Sequence, residues 1–284
     1  MRWTGGRRSG NVEDRRGIPM SRGVAGGGIG LIVVVLLALF FGVDPSVLLQ
    51  GGGPDVARAP VERGPQAPPA DDPVRDFVSV VLADTEDTWK DLFRRMNRTY
   101  QEPRLVLFSG AVESACGFAQ AAVGPFYCPA DRKVYLDLSF FRDLHERFGA
   151  PGEFAQAYVI AHEIGHHVQT LLGISDEVMA LRQRVGPAQE KALSVRQELQ
   201  ADCFAGVWAR NAHDKRNILE EGDVEEGLNA AAAIGDDRMQ RQSTGYVSPE
   251  SFTHGSSAQR VRWFKRGLAT GDPQQCDTFS AANP

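Results

Sequence analysis

One short pattern in the chain combines residue types that can hold a metal ion and activate water. The segment His162-Glu163-Ile164-Gly165-His166 places two histidines four residues apart. On a helix, residues i and i+4 lie on one face, so both imidazoles can reach a single metal ion. Glu163 lies next to the open side of that ion, where it can act as a general base on bound water. The pattern predicts a zinc site of the hydrolytic kind, and the alternative is an exposed polar stripe on the helix.

A catalytic zinc ion needs a third protein ligand and one open position. The extended pattern with a third histidine is excluded, because Gln169 and Leu172 stand where its glycine and histidine would be. Glu198 and Asp202 follow in a helical stretch at i,i+4 spacing. Glu198 would complete a His₂Glu site, and Asp202 would accept the second ring N–H of a ligand histidine. The alternative is a solvated helix face, and the other candidate third ligands are His213, His254 and Asp137.

The elements that position these residues are predicted to be mostly helical. Residues 153–172 carry apolar side chains at helical spacing, with the histidines in the middle, and His167 is expected to be structural because it points off the metal face. Further helices are predicted over 74–93, 139–148, 176–187, 187–212, 223–242 and 257–269, and strands over 104–108 and 133–138. Few strands and many helices indicate an α+β domain.

The overall composition is that of a globular protein. The 284 residues are 42% apolar and 24% charged with a net charge of −5, which excludes wholesale disorder and a multi-span membrane protein. The acidic balance argues against nucleic acid as a partner. The average conceals an uneven distribution, because six arginines against two acidic residues give residues 1–22 a net charge of +4.

The segment after these arginines predicts a membrane anchor. Residues 23–43 are uncharged and about long enough to cross a bilayer, so they are predicted to form one transmembrane helix. The alternative is a cleaved secretory signal. The positive-inside rule places residues 1–22 in the cytoplasm and the rest outside. Residues 44–73 hold seven prolines and read as a linker, which leaves 74–284 as the working domain.

Four cysteines allow three disulfide pairings if the domain lies outside the cytoplasm. The favoured pairing joins Cys116 to Cys128 across a short loop and Cys203 to Cys276, which ties the chain's tail to the Glu198 helix. The alternative is buried free thiols, above all for Cys203.

Several segments resemble the bacterial neutral zinc metallopeptidase family of membrane-anchored proteins. The resemblance lies in residues 162–169, 196–206, 1–16, 124–129 and 134–138. It implies a zincin-like fold with glutamate as the third zinc ligand. By similarity to related peptidases, His254 or Arg260 would stabilise the oxyanion formed during hydrolysis, the alternative being a helix-capping loop and a surface arginine. By the same analogy, Tyr135 and Asp137 would lie on an edge strand that pairs with an extended substrate.

The sequence thus predicts a single-pass membrane-anchored zinc metallopeptidase that acts on peptides outside the cytoplasm. His162, His166 and Glu198 would hold one Zn²⁺, and Glu163 would be the general base. Two alternatives remain: a zinc-stabilised binding or scaffold protein without catalysis, and a zinc amidase acting on cell-wall material.

Overall fold

Helices make up most of the described chain, which comprises residues 1–17 and 71–284 of a computed structural model. The helices are α1 (Pro73–Arg95), α2 (Ser139–Glu146), α3 (Glu153–Leu172), α4 (Ile174–Arg182), α5 (Pro187–Arg216), α6 (Asp223–Ala233), α7 (Asp236–Thr244) and α8 (Ser257–Thr270). The strands are β1 (Val12–Asp14), β2 (Arg104–Phe108), β3 (Ala111–Ser114), β4 (Gly117–Gln120), β5 (Phe126–Cys128) and β6 (Lys133–Asp137). This is the mainly helical α+β architecture expected from the element pattern.

The predicted helices over 74–93 and 153–172 are confirmed. The prediction of one continuous helix over 223–242 is wrong, because the structure has two helices there. That stretch is interrupted at Gly235 and forms α6 and α7. A Cβ at Gly235 would lie 2.4 Å from the backbone nitrogen of Ser257. The break therefore lets the start of α8 approach the chain closely, a tertiary requirement that helix periodicity does not show.

The four-stranded sheet has the order β1-β2-β6-β5. Strands β1, β2 and β6 are parallel, and β5 pairs antiparallel with β6. The predicted edge position of Tyr135 and Asp137 is therefore wrong, because their strand β6 lies between β2 and β5. The edge on that side is β5, whose three residues are too few to show an alternating pattern.

The main core lies between one face of this sheet and the helices. Its largest fully buried side chains include Trp89 from α1 and Trp208 and Phe204 from α5. Helix α3 is buried along most of its length, since it packs against α5, α6 and α1. The metal-binding pattern is thus held in a helix that is packed against three others.

Two disulfides cross-link the domain, one across a short loop and one between distant parts of the chain. Cys116 pairs with Cys128, which joins the β3–β4 hairpin region to the edge strand β5. Cys203 of α5 pairs with Cys276 near the chain's end. These are the pairings favoured from the sequence, and the described cysteines include no free thiol.

The N-terminal segment belongs to the same domain as the metal-binding helix. Its strand β1 pairs with β2, and two of its arginines bind carboxylates of α1, Arg7 with Glu86 and Arg8 with Asp76. Arg16 donates to Asp72 at 2.7 Å, so the two ends of the stretch between residues 17 and 71 are joined by an ion pair. The positive charge of this segment is therefore neutralised within the fold.

The fold-class prediction is wrong where it places one transmembrane helix ahead of the domain. Among the helices of residues 1–17 and 71–284, none has the length and apolar character that crossing a bilayer requires. The predicted span at 23–43 and the predicted linker up to residue 70 lie outside the described residues.

Candidate metal centre

Helix α3 starts and ends at glycines that the local backbone requires. Gly152 has a φ of 116°, and a Cβ there would lie 2.0 Å from the carboxyl carbon of Glu226. The Glu226 carboxylate accepts the N–H of Phe154 at 3.0 Å, which satisfies one free donor of the first turn. Gly173 ends the helix at a φ of 84°. These contacts fix where the metal-binding pattern lies along the core.

His162 and His166 face one carboxylate from α5. The Nε2 atom of His162 lies 3.2 Å from Glu198 Oε2, and the Nε2 atom of His166 lies 3.5 Å from Glu198 Oε1. The three residues each offer one ligand atom within 4.8 Å of the others. Two imidazoles and a carboxylate are the donor set of an open catalytic zinc site, so the residues present fit a zinc ion.

Close contact between α3 and α5 brings these ligands together. A Cβ at Gly165 would lie 2.9 Å from the backbone oxygen of Ala201. Glycine at this point lets the two helix backbones approach more closely than any other residue would. Because Ala201 is three residues after Glu198, the same contact sets the distance between Glu198 and the histidines.

Asp202 orients His162 from behind. Its carboxylate accepts from His162 Nδ1 at 2.8 Å and from the Tyr158 hydroxyl at 2.5 Å. Arg260 donates to both oxygens at 2.9 Å. Burial alone would raise the pKa of Asp202, but Arg260 and His162 outweigh it and lower that pKa. Asp202 is therefore ionised, and its bond to Nδ1 leaves Nε2 of His162 facing the cleft.

The carboxylates around the histidines also change their titration. Burial alone would lower the pKa of His162, but Asp202 and Glu198 raise it to about 10. Burial would raise the pKa of Glu198, yet His166 and His162 hold it well below its usual value. Glu198 is therefore a carboxylate at neutral pH, the form that binds a cation.

His166 has an orienting partner that the sequence did not reveal. Its Nδ1 donates to Gln169 Oε1 at 2.9 Å, while Gln169 Nε2 donates to the Gln197 carbonyl at 2.7 Å and to Gln200 at 3.0 Å. Gln169 occupies the position that a glycine takes in the extended pattern. Its i,i+3 spacing from His166 was the available signal.

His167 lies away from the metal ligands, as expected. Its Nε2 donates to the Gln101 carbonyl at 2.6 Å, and its Nδ1 lies 3.1 Å from the Tyr127 hydroxyl. Burial lowers the pKa of His167 to about 4, so the ring is neutral. It connects α3 to the edge strand β5.

His254 and Arg260 occupy different environments. Arg260 is 2% exposed, and its donors bind Asp202, the Tyr158 hydroxyl and the Ile234 carbonyl. Its guanidinium therefore supports the metal ligands from behind. His254 lines the same cleft as Glu163, and its Nδ1 lies 3.1 Å from Asp236 Oδ1. The bond to Asp236 raises the pKa of His254 against the effect of burial.

Asp236 is the hydrogen-bond partner of His254, and the sequence did not reveal this role. Its Oδ2 atom accepts the backbone N–H groups of Thr253, His254 and Gly255 at 2.7, 2.7 and 3.0 Å. The carboxylate thus fixes the loop before α8 and the ring of His254 together.

The remaining candidate ligands are elsewhere. Asp137 accepts the N–H of Gly110 and of Ser139, and His213 accepts the N–H of Leu219 near the end of α5. Neither is part of the His162, His166 and Glu198 group.

The metal-ligand group opens into a cleft of about 400 Å³. Glu163 is 8% exposed and lines this cleft with both histidines and Glu198. The loop and edge strand around Phe126 form one rim. A concave site with a few polar groups at its floor is suited to bind and react with a substrate.

Comparison with known proteins agrees with this site. Residues 1–279 match the model of a family described as "Putative neutral zinc metallopeptidase". The chain belongs to that family. The match covers both the N-terminal segment and the metal centre, and it confirms the resemblance seen in the sequence.

Curated relatives match all or most of the chain. "Uncharacterized protein YpfJ" of Escherichia coli strain K12 is 52% identical over 288 residues, covering 98% of this chain and 99% of the relative. "Uncharacterized protein Rv2575" of Mycobacterium tuberculosis strain H37Rv is 45% identical over 217 residues, covering 73% and 72%. No solved structure matches the chain significantly.

Proposed function

We propose that this family member is a zinc-dependent endopeptidase that hydrolyses peptide bonds with water. The observation that carries the proposal is the group formed by His162, His166 and Glu198 beside Glu163 on the floor of an open cleft. Three protein ligands favour catalysis over a structural role, because structural zinc sites are usually closed by four.

The roles of the residues follow from their positions. Bound zinc would supply Lewis acidity and lower the pKa of the attacking water. Glu163 takes the proton from that water and passes it to the leaving amine. His254, held by Asp236, donates a hydrogen bond to the oxyanion that develops on the scissile carbonyl. Asp202 and Gln169 keep the ligand histidines in the tautomer that binds metal.

The domain is further proposed to work outside the cytoplasm. Two disulfides support this proposal, because such bonds persist in oxidising compartments and are rare in the cytosol.

The test is chelator-sensitive cleavage of an unfolded protein by the zinc-loaded chain. Glu163→Gln is expected to retain about one zinc per chain by elemental analysis and to lose cleavage by at least about a hundredfold, the lower range for a general base. Glu177→Gln makes the same chemical change on the exposed face of α4 and is the matched control. Cleavage by Glu163→Gln at the rate of this control would reject the assigned base.

A further inference from the structure

We propose that the cleft contains a subsite for one large apolar side chain of the peptide substrate, directly beside the bond that is cleaved. This inference rests on the proposed peptidase function and names its substrate class. It comes from the unequal chemistry of the walls around the metal-ligand group.

The apolar wall begins next to the reacting centre. Val159 lies four residues before Glu163 on α3, so both side chains project from one face of the helix into the cleft. Phe140, near the start of α2, and Phe148, just beyond its end, line the same cleft with ring centroids 6.2 Å apart. Two further apolar residues line the cleft, namely Ile234 directly after α6 and Met239 in the first half of α7.

This wall is built in advance of any substrate. Gly124 has a φ of 85°, and a Cβ at this residue would lie 3.5 Å from the Phe140 ring. The backbone at Gly124 therefore lies close to one side of that ring. Phe126 stacks on Tyr135 with ring centroids 4.8 Å apart. Rings held by such neighbours keep a pocket open, which is typical of largely pre-formed ligand sites.

Residues of α4 and α5 that line the cleft are polar. They are Ser175 and Arg182 of α4 and Ser194 and Gln197 of α5, and Arg182 pairs with Glu190 at 3.0 Å. Burial of an apolar substrate side chain is favourable against the apolar residues around Val159, because only there does the side chain move from water into apolar surroundings. A carboxylate placed there would lose its hydration among apolar groups and pay a desolvation cost. Discrimination by one such pocket is on the order of ten- to a hundredfold in kcat/KM.

The experiment is cleavage-site mapping with the zinc-loaded full chain. The enzyme digests a denatured protein mixture, and mass spectrometry identifies the new ends. Leu, Ile, Met and Phe are expected to exceed Asp, Glu and Gly about tenfold or more at one position flanking the cleaved bond. Chelator-sensitive cleavage without that preference would overturn the subsite alone. Absence of any chelator-sensitive cleavage would overturn the proposed function, and the subsite with it.

A pair of exposed methionines provides matched variants. Met239 is 40% exposed and lines the cleft, whereas Met179 is 53% exposed on α4 and does not. Met239→Glu is expected to reduce cleavage beside apolar residues about tenfold and to shift the profile toward Lys and Arg. Met239→Lys is expected to shift it toward Asp and Glu. Met179→Glu is expected to keep the parent profile, and the same profile in all three variants would overturn the subsite.

Discussion

Two buried carboxylates, Asp202 and Glu86, have the same kind of surroundings and serve different ends. Both are fully buried, and each accepts from an arginine and a hydroxyl group. Asp202 binds Arg260 and Tyr158 directly behind a metal ligand. Glu86 of α1 instead binds partners that all come from the N-terminal segment, namely Arg7, Ser9 and Asn11. One buried charge orients the metal centre, and the other fastens a distant segment to the fold.

The comparison shows that an arginine's role depends on the carboxylate it meets. Arg260 and Asp202 are 58 residues apart in the chain, and Arg7 and Glu86 are 79 residues apart. From the sequence, Arg260 was interpreted as a hydrogen-bond donor to the oxyanion, and Arg7 as part of a cytoplasmic N-terminal segment. Neither assignment takes account of these partners, because spacing within a motif does not reveal contacts over such separations.

The largest effect is expected from removing the N-terminal segment. A chain of residues 71–284 would lose β1 and all three of the N-terminal partners of Glu86, and breaking a buried ion pair by removing one partner costs about 3–5 kcal/mol. We expect this chain to lose cooperative unfolding in urea. The control is excision of residues 18–70 with a short Gly/Ser linker, which the Arg16–Asp72 ion pair makes feasible.

That control is expected to unfold cooperatively and to retain zinc. Equal stability of the two truncated chains would show that the N-terminal segment does not fasten the domain.

The second-largest effect is expected from substitutions that distinguish the role of Asp202 from that of Glu86. Asp202→Asn is expected to weaken zinc binding about 10- to 100-fold, since His162 loses its orienting acceptor. Glu86→Gln removes a buried charge of the same kind and is expected to leave zinc binding unchanged. Asp202→Asn should lower the free energy of unfolding by about 3 kcal/mol, because it leaves the buried Arg260 without its partner charge. Glu86→Gln should lower it less, because Arg7 is partly exposed and keeps its ion pair with Asp87.

Chelator competition measures the zinc affinity, and urea denaturation measures the stability. An equal loss of zinc affinity in the two variants would show that Asp202 and Glu86 do not differ in their effect on the metal centre.

The smallest effect concerns the contact that sets the ligand distances. Gly165→Ala places a methyl group 2.9 Å from the Ala201 carbonyl oxygen, and overpacking of this kind costs about 1–3 kcal/mol. Moving α3 away from α5 should also weaken zinc binding. Gly186→Ala is the control, because its Cβ position has no neighbour within 4 Å. Equal zinc affinity in both variants would show that this contact is not what positions Glu198.

Elements with a strong local pattern were predictable. The bounds of α3 and the approximate bounds of α1, α5 and α8 follow from apolar periodicity and capping residues. The three-residue strands β1 and β5 were missed, because segments so short carry no periodic signal. The edge strand was consequently assigned to β6. Gln169 and Asp236 were missed because a lone amide or carboxylate becomes informative only when its acceptor or donor is known.

By itself the sequence determined which residues can bind zinc, because i,i+4 spacing on a helix fixes the relative positions of His162 and His166 and of Glu198 and Asp202. It also determined the family, through motifs that extend over most of the chain. Only the tertiary structure decided that residues 1–16 complete the domain, that Arg260 supports Asp202 and that β5 borders the cleft. These features depend on contacts between segments far apart in the chain. Such contacts are set by packing and by the pairing of buried charges, which local spacing does not record.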